Sequence, residues 1–433
     1  VVGRLTAVNT ACAAAGSMLA SFVVLPLLGL WNSFALIALV YALLSVFVRG
    51  SRGAVEHYAL PALSVVLTLS MAVGLAHTRI GFDPRTQVRL GHWESAYGWI
   101  DVLKRKDNGQ LDLKHNSRYR LSSSKLAHYE VRQGHIPLLL HPDPQRVLYL
   151  GLATGVTSSS ALYHPEVRSA EIVELIPEVL EAARLFSEVN RGVVDADKTR
   201  VHINDARHHL HADAGAHDVI VSDLFIPWES KTGYLYTVEH YHAARAHLKP
   251  GGLFCQWIHL WEVGARELEL IADSLAAVFP RVTLFKADVR SNVPVLGLVG
   301  SEEPLRVDGV QLAARLARMD PPANGRPKAL NAPEDLYALF IGRWRARKPD
   351  FLNTDEHPRV EFLAPITHNR ARLLKRGRLE RYYRDVLMGL PLSGLEVTSR
   401  PGASPLDLGA GRAAQLADFE RRRKKRLGNK RKR

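Results

Sequence analysis

Three carboxylates occupy matching places in this sequence. Glu174 closes the apolar run AEIVE, Asp205 follows RVHIN, and Asp223 follows HDVIVS. Ahead of them, VLYLGLATGVT leads from an apolar segment (Val147 to Leu150) into a turn containing Gly151 and Gly155. A carboxylate at such a position can hold hydroxyls, pair with a cation or accept a proton. A glycine turn that opens a helix brings unpaired backbone N–H groups close to a ligand. Glu174 lies about 20 residues beyond the turn, the spacing at which an acid takes both hydroxyls of a ribose. The chemistry indicated is recognition of a nucleoside. The turn alone is a weak signal, because GLATG is neither the dinucleotide GxGxxG pattern nor a phosphate loop. A single acid at a strand end serves equally well as a helix cap or in a solvated loop. Three in register favour one shared crevice.

The elements that must position them are four strands, each ending where its acid or glycine begins. Ligands of open α/β sheets bind at that carboxyl edge. The expected fold class is therefore α/β, with a doubly wound, Rossmann-like core over residues 142–303. Before it, YGWIDVLKR, QLDLKH and SRYRLSS alternate with period two and are separated by DNG and HNS, which predicts hairpins of a small antiparallel β domain over 79–141. That block precedes the core directly and is placed to cover the crevice. After the core, RELELIADSLAAVF has helical periodicity. Residues 304–375 form an appended segment, and 376–433 a polar, basic, disordered tail.

The chain of 433 residues carries a formal charge of +14, unevenly spread. From Glu420 onward, ERRRKKRLGNKRKR holds ten Lys/Arg and one acid, so the tail supplies +9 and the rest about +5. Such a run does not fold by itself and attracts anionic lipid or RNA generically. No aromatic residue interleaves its charges, which argues against a specific nucleic-acid partner. The two cysteines, Cys12 and Cys255, provide no disulfide framework and no zinc spacing.

No charged residue occurs between Arg4 and Arg49. That stretch predicts two membrane spans, Leu5 to Leu28 and Phe34 to Val48, with Tyr58 to Ala76 as a third. Residues 1–78 are thus expected to be a transmembrane region of about three helices with membrane lipid as a partner. The chain begins at Val1 inside an apolar stretch, which raises the expectation of further sequence and spans upstream. Arg49 and Arg52 on one side of the third candidate, and Arg79, Arg85 and Arg89 on the other, nearly balance, so charge leaves the orientation open. A cytosolically made nucleoside ligand favours a cytosolic catalytic domain on an inner membrane.

In the order YGWIDVL, AHYEVRQGHIPLLLHPDPQRVLYLG, VELIPEV, NDA, DVIVSD and LKPGGLFCQW, the chain resembles the spermidine synthase (polyamine aminopropyltransferase) family. In particular it is similar to bacterial members whose catalytic domain follows transmembrane helices. The likeness covers roughly Tyr97 to Gly300, with LNTDEHPRVEFLAP and Val2 to Leu44 also similar to the membrane-fused relatives. It implies a small β domain on a methyltransferase-like core, decarboxylated S-adenosylmethionine as co-substrate, no metal, a polyamine or other small amine as acceptor, and leaves a homo-oligomer open. By position, Gly151, Thr154 and Gly155 form the co-substrate turn. Glu174 resembles the ribose-binding acid, Asp205 with Ala206 the pair that recognises adenine, and Asp223 the general base. Tyr129 and Gln256 resemble residues lining the amine pocket. An amine protonated at neutral pH is no nucleophile, so a carboxylate that accepts its proton is what this chemistry requires.

Departures from the family pattern fall around the charged ends of the substrates. Thr154 stands where the family has an aspartate for the aminopropyl ammonium. Ile226 replaces a second aspartate for the far amine, and Arg120 stands in place of a glutamine near the second hairpin. These changes imply an altered acceptor pocket, and the loss at Thr154 keeps S-adenosylmethionine-dependent methyl transfer as an alternative. A nucleoside- or polyamine-sensing domain attached to a transporter-like membrane region is the non-enzymatic alternative. Trp228, Tyr234 and Tyr236 follow the base as either a lid or ordinary packing. Asp355 and Glu361 either reach the crevice or cap local turns. His202, His208, His209, His211 and His217 match no closed ligand set by spacing and read as solvated helix surface.

Overall fold

The computed structural model describes residues 2–47, 65–66, 82–95, 97–117, 119–212, 215–288, 295–319 and 330–398, with short pieces at 408–409, 412–413, 417 and 420–421. The chain divides into two units, Val1–Ser123 and Ser124–Arg433.

In the first unit, helical backbone runs from Val2 to Leu19, continues as a π-helical stretch over Ala20–Val24, and resumes at Leu25. At Gly29 the backbone leaves the helix (φ 72°, ψ 176°) before the helical course continues to Phe47. Val2–Gly29 is long and apolar enough to cross a membrane, whereas the apolar helix beyond the break, Asn32–Tyr41, is too short for the ~20 residues a span needs. The expectation of about three spans is therefore corrected to one such helix among the described residues, because the apolar helix beyond the break is too short for a second span. Most of the third candidate, Tyr58 to Ala76, lies outside the described residues, as does most of the basic tail.

Four strands complete this unit: β1 (Gln87–Ser95), β2 (Gly98–Arg105), β3 (Leu111–His115) and β4 (Tyr119–Ser123). They pair antiparallel in chain order. A continuous run, Ile100 to Leu103, is buried on β2 and Leu113 on β3, while the turn residues of HNS adopt positive φ at Asn116 and Ser117.

The second unit is built on β5 (Arg146–Leu150), β6 (Ser169–Glu174), β7 (Thr199–Ile203), β8 (His217–Ser222), β9 (Leu248–His259), β10 (Arg281–Asp288), β11 (Val295–Ser301), β12 (Leu305–Asp308), β13 (Phe340–Arg343) and β14 (Leu395–Thr398). Eight of these form one sheet in the order β13-β10-β11-β9-β8-β5-β6-β7. The pairs from β9 through β8, β5 and β6 to β7 are parallel, and β11 enters antiparallel between β9 and β10. The central strands are near-continuous apolar runs, as strands covered on both faces must be. β5 has β6 on one side and β8 on the other, so the chain reverses its direction of travel across the sheet there. This topological switch point opens a crevice beyond the carboxyl ends of β5 and β8. The result is an α/β fold, with an antiparallel β sheet ahead of it in the chain.

Two groupings differ from the sequence reading. The helix Ala127–Leu140, expected with the small β domain, belongs to the second unit, where the Gln133 carbonyl accepts the Trp257 indole N–H at 2.9 Å. The appended segment contributes β13 to the main sheet, and part of the expected tail is ordered as the helix Gly377–Asp385 and as β14, which pairs parallel with β12. Leu379, Tyr383 and Leu387 from that stretch are buried in the main core.

Candidate active site

Each edge of the crevice is held by continuation of the strand ladder. The Gly151 N–H donates to the Val173 carbonyl at 2.8 Å, the Asp223 N–H to Leu150 at 3.0 Å, and the Asn204 N–H to Glu174 at 2.9 Å. Gly151 (φ 99°) and Gly155 (φ 75°) turn the backbone through the left-handed region, which a side chain disfavours. A Cβ on Gly155 would also lie 2.9 Å from Val193 Cγ1. The neighbouring Thr154 is buried, and its carbonyl accepts the Asn190 side-chain N–H at 2.7 Å.

Glu174 is 9% exposed and braces the turn. Its Oε2 accepts the Leu152 N–H at 3.0 Å and its Oε1 the Ile176 N–H at 2.9 Å. Burial pushes its carboxyl above the usual range, and the backbone N–H groups of Ile176, Leu152, Ala153 and Leu175 oppose that shift. Asp205 caps the helix Ala206–Ala212: its Oδ1 accepts the N–H groups of Arg207 at 2.8 Å and His208 at 3.1 Å. Ala206, the first residue of that helix, packs against the main core.

Asp223 faces the glycine turn. A Cβ on Gly151 would lie 3.5 Å from the Asp223 Cβ, and Phe225 lines the same gap. Asp223 keeps some contact with solvent, yet protein surrounds it closely enough that desolvation raises its carboxyl to about 6. The N–H of Leu224 and a hydrogen bond with the side chain of Thr157 oppose this shift, while the charge of Glu174 adds to it. The Thr157 contact was missed from sequence, since nothing in GVTSSS distinguishes that hydroxyl from its neighbours.

The residues expected to line the amine pocket are dispersed. Ile226 is buried just after Asp223. Gln256 is fully buried, with Nε2 donating to the Trp257 carbonyl at 3.2 Å and lying 3.5 Å from that of Asp223. Its Oε1 is buried without a hydrogen-bond partner. Tyr129 lies in the first turn of the helix Ala127–Leu140, its ring 5.1 Å from the Arg132 guanidinium. Arg120 belongs to the first unit, on β4, with Nη1 3.6 Å from Asp112.

The loop after Asp223 is clasped from the appended segment. Glu361 accepts the N–H groups of Lys231 at 2.6 Å and Gly233 at 3.0 Å, and Asn353 donates to the Gly233 carbonyl at 3.0 Å. Asp355 accepts from Arg207 Nη1 at 2.9 Å and from Thr237 Oγ1 at 2.8 Å. The alternatives left open for Asp355 and Glu361 thus resolve to holding turns. Trp228 donates to Glu262 at 2.6 Å, and Tyr236 is buried with its hydroxyl on the Phe225 carbonyl, so both are packed into the loop.

Residues 127–293 match the family described as spermine/spermidine synthase domain. Over that stretch, somewhat more than a third of the chain, the similarity is to a transferase family. The chain is 31% identical over 183 residues to Polyamine aminopropyltransferase 2 of Hyperthermus butylicus, covering 42% of this chain and 59% of the relative. It is 31% identical over 362 residues to Polyamine aminopropyltransferase 2 of Streptomyces coelicolor, covering 76% of this chain and 63% of the relative. It therefore spans about three fifths of the length of these curated relatives. Among solved structures, a spermidine synthase in complex with the transition-state analogue AdoDATO matches at a TM-score of 0.47 and 23% identity, covering 58% of this chain and 84% of that one.

The histidine reading needs correction. His202 lies on β7 and His217 on β8, not on a helix, and His209 and His217 are buried. His202 and His217 both bond to Glu171, so strand pairing has gathered residues that sequence spacing kept apart.

Proposed function

We propose that the protein transfers an aminopropyl group from decarboxylated S-adenosylmethionine to an amine acceptor whose pocket is less anionic than the family pattern. The observation that carries this reading is the Asp223 carboxyl, raised to about 6, facing the glycine turn at the switch point of a spermidine-synthase-type domain. In this reading Glu174 and the Asp205–Ala206 pair hold the nucleoside, with Gly151, Thr154 and Gly155 lying along it. Asp223 accepts a proton from the acceptor ammonium. The freed lone pair attacks the carbon next to the sulfonium, the new C–N bond forms as the C–S bond breaks, and methylthioadenosine leaves as a neutral sulfide. Holding the amine and the sulfonium carbon in line accounts for most of the remaining acceleration. Tyr129, Gln256 and Ile226 line the acceptor side in this reading. The acceptor this set favours has one ammonium near Asp223 and an apolar remainder against Ile226.

We further infer that Val2–Gly29 anchors the chain in a membrane, supported by its uncharged stretch after Arg4 and by exposed Leu5, Val8, Phe22 and Leu27 around its surface. The catalytic unit then stands on the cytosolic face of a bacterial inner membrane.

Thr154, in place of an acid, specifically favours a second reading, methyl transfer from S-adenosylmethionine, whose carboxylate an aspartate there would repel. One experiment separates the two. Detergent-solubilised protein is given decarboxylated or intact S-adenosylmethionine with a panel of amines, and the nucleoside product is identified by mass spectrometry. Methylthioadenosine formed only with the decarboxylated donor and an amine is the expected result. S-adenosylhomocysteine would establish methyl transfer instead, and nucleoside binding without either product would make this a sensing domain.

A further inference from the structure

Within the sheet, three residues before Glu174, a second group of side chains has the composition of a metal site. Glu171 lies on β6, His202 on β7 and His209 on the helix Ala206–Ala212. One donor atom from each lies within 4.8 Å of the other two. Glu171 Oε2 and His202 Nε2 are 3.2 Å apart, and the rings of His202 and His209 have centroids 4.9 Å apart. The second carboxylate oxygen, Oε1, meets His217 Nε2 at 3.3 Å and Arg146 Nη2 at 3.5 Å. His209 is buried, while Glu171 and His202 keep a solvent-facing side.

We propose that Glu171, His202 and His209 bind one divalent transition-metal ion of the zinc class, with water as the fourth ligand. Metal–nitrogen and metal–oxygen bonds of about 2.0–2.2 Å in a tetrahedron put neighbouring donor atoms roughly 3.3 Å apart. The Glu171–His202 separation already has that value, and a His209 donor atom lies within 4.8 Å of both partners. Two imidazoles and one carboxylate suit zinc, cobalt or nickel and do not suit magnesium or calcium, which take oxygen sets. His217 supplies the outer contact that ligating carboxylates commonly have, holding Oε1 while Oε2 turns to the ion. Arg146 lies on that same far oxygen, away from the metal side. The ion would join β6, β7 and the helix that Asp205 caps, tying the nucleoside edge of the crevice into the sheet.

The test uses the full chain without an affinity tag, stripped with chelator and dialysed. Cobalt is titrated and followed by visible absorption, and zinc is titrated by calorimetry. The expected result is one ion per chain, with the intense visible bands of four-coordinate cobalt. Glu171→Gln and His202→Gln each weaken binding at least tenfold, and zinc raises the thermal midpoint of the unsubstituted chain but not of these variants. Circular dichroism identifies which variants fold, and the partly exposed His202→Gln carries the test if Glu171→Gln does not. A double His208→Gln/His211→Gln variant, which removes neighbouring helix histidines, should bind as before. Absence of saturable binding, binding that survives His202→Gln, or binding lost in the double variant would each overturn the assignment.

Discussion

Gly151 stands directly across the crevice from Asp223, with only 3.5 Å between the Asp223 Cβ and the position a Gly151 Cβ would take. The turn after β5 and the end of β8 thus form two walls of one narrow site. At φ 99° the glycine is also conformationally required. Gly151→Ala should cost about 1–3 kcal/mol of stability from backbone strain and lower kcat/KM more than it lowers the thermal midpoint. Parallel calorimetry and steady-state kinetics check this; equal activity in the variant would remove Gly151 from the site.

Asp223→Asn removes the proposed base. Turnover should fall by about 10²–10⁴-fold while nucleoside affinity, read by calorimetry, stays within a few-fold. In the unsubstituted chain, kcat/KM should rise with pH through about 6 and then level off, because only the ionised carboxylate accepts a proton. An unchanged rate in the variant excludes the role.

The same carboxyl links stability to pH. Its folded value lies above the ordinary 3.8, so between roughly pH 4 and 6 the native state holds more protons than the unfolded chain. Stability contributed by this group is therefore fully present below about pH 4 and lost as pH rises through 6. Asp223→Asn should be more stable than the unsubstituted chain at pH 8, by about 2 kcal/mol, and no more stable at pH 4. Denaturant melts at the two pH values measure the difference.

Thr157 lowers the Asp223 pKa through its hydrogen bond. Thr157→Val should move the acid limb of the pH–rate profile up by about one unit, and Thr157→Ser should restore it. A profile that falls in height without shifting along the pH axis would mean that the hydroxyl serves packing only.

Glu361 holds the backbone of Lys231 and Gly233 from a distant part of the chain. Glu361→Ala should cost about 1–2 kcal/mol and expose the loop after Asp223 to limited proteolysis ahead of the rest of the unit. Mass mapping of the first cleavage decides this, and an initial cut elsewhere argues against the clasp.

Much of the sheet was legible because its signal is local. AEIVE, RVHIN and HDVIVS are apolar runs stopped by acids, and each became a parallel strand with its acid at the carboxyl end. The hairpins around DNG and HNS were legible for the same reason, through turn chemistry and alternation. What escaped depends on pairing between distant segments. Thr283 opposes Arg343 and Leu305 opposes Leu395, and no periodicity within either segment announces its partner. The break at Gly29 was legible in GLWNS, which separates the two expected spans, whereas the short length of the apolar helix beyond it was not. The cluster around Glu171 escaped because adjacency on β6, β7 and β8 is a property of strand order, not of spacing along the chain.

The family match ends at residue 293, but the folded body does not. Asp273, on the helix Ala265–Val278, accepts the Trp344 indole and the N–H groups of Arg347 and Lys348, and Ser274 accepts the N–H of Asn353. Cutting the chain at residue 293 would leave these buried acceptors facing solvent and the loop after Asp223 without its latch. Here the matched domain and the unit of folding have different edges, and the segment beyond residue 293 is scaffolding that the domain cannot do without.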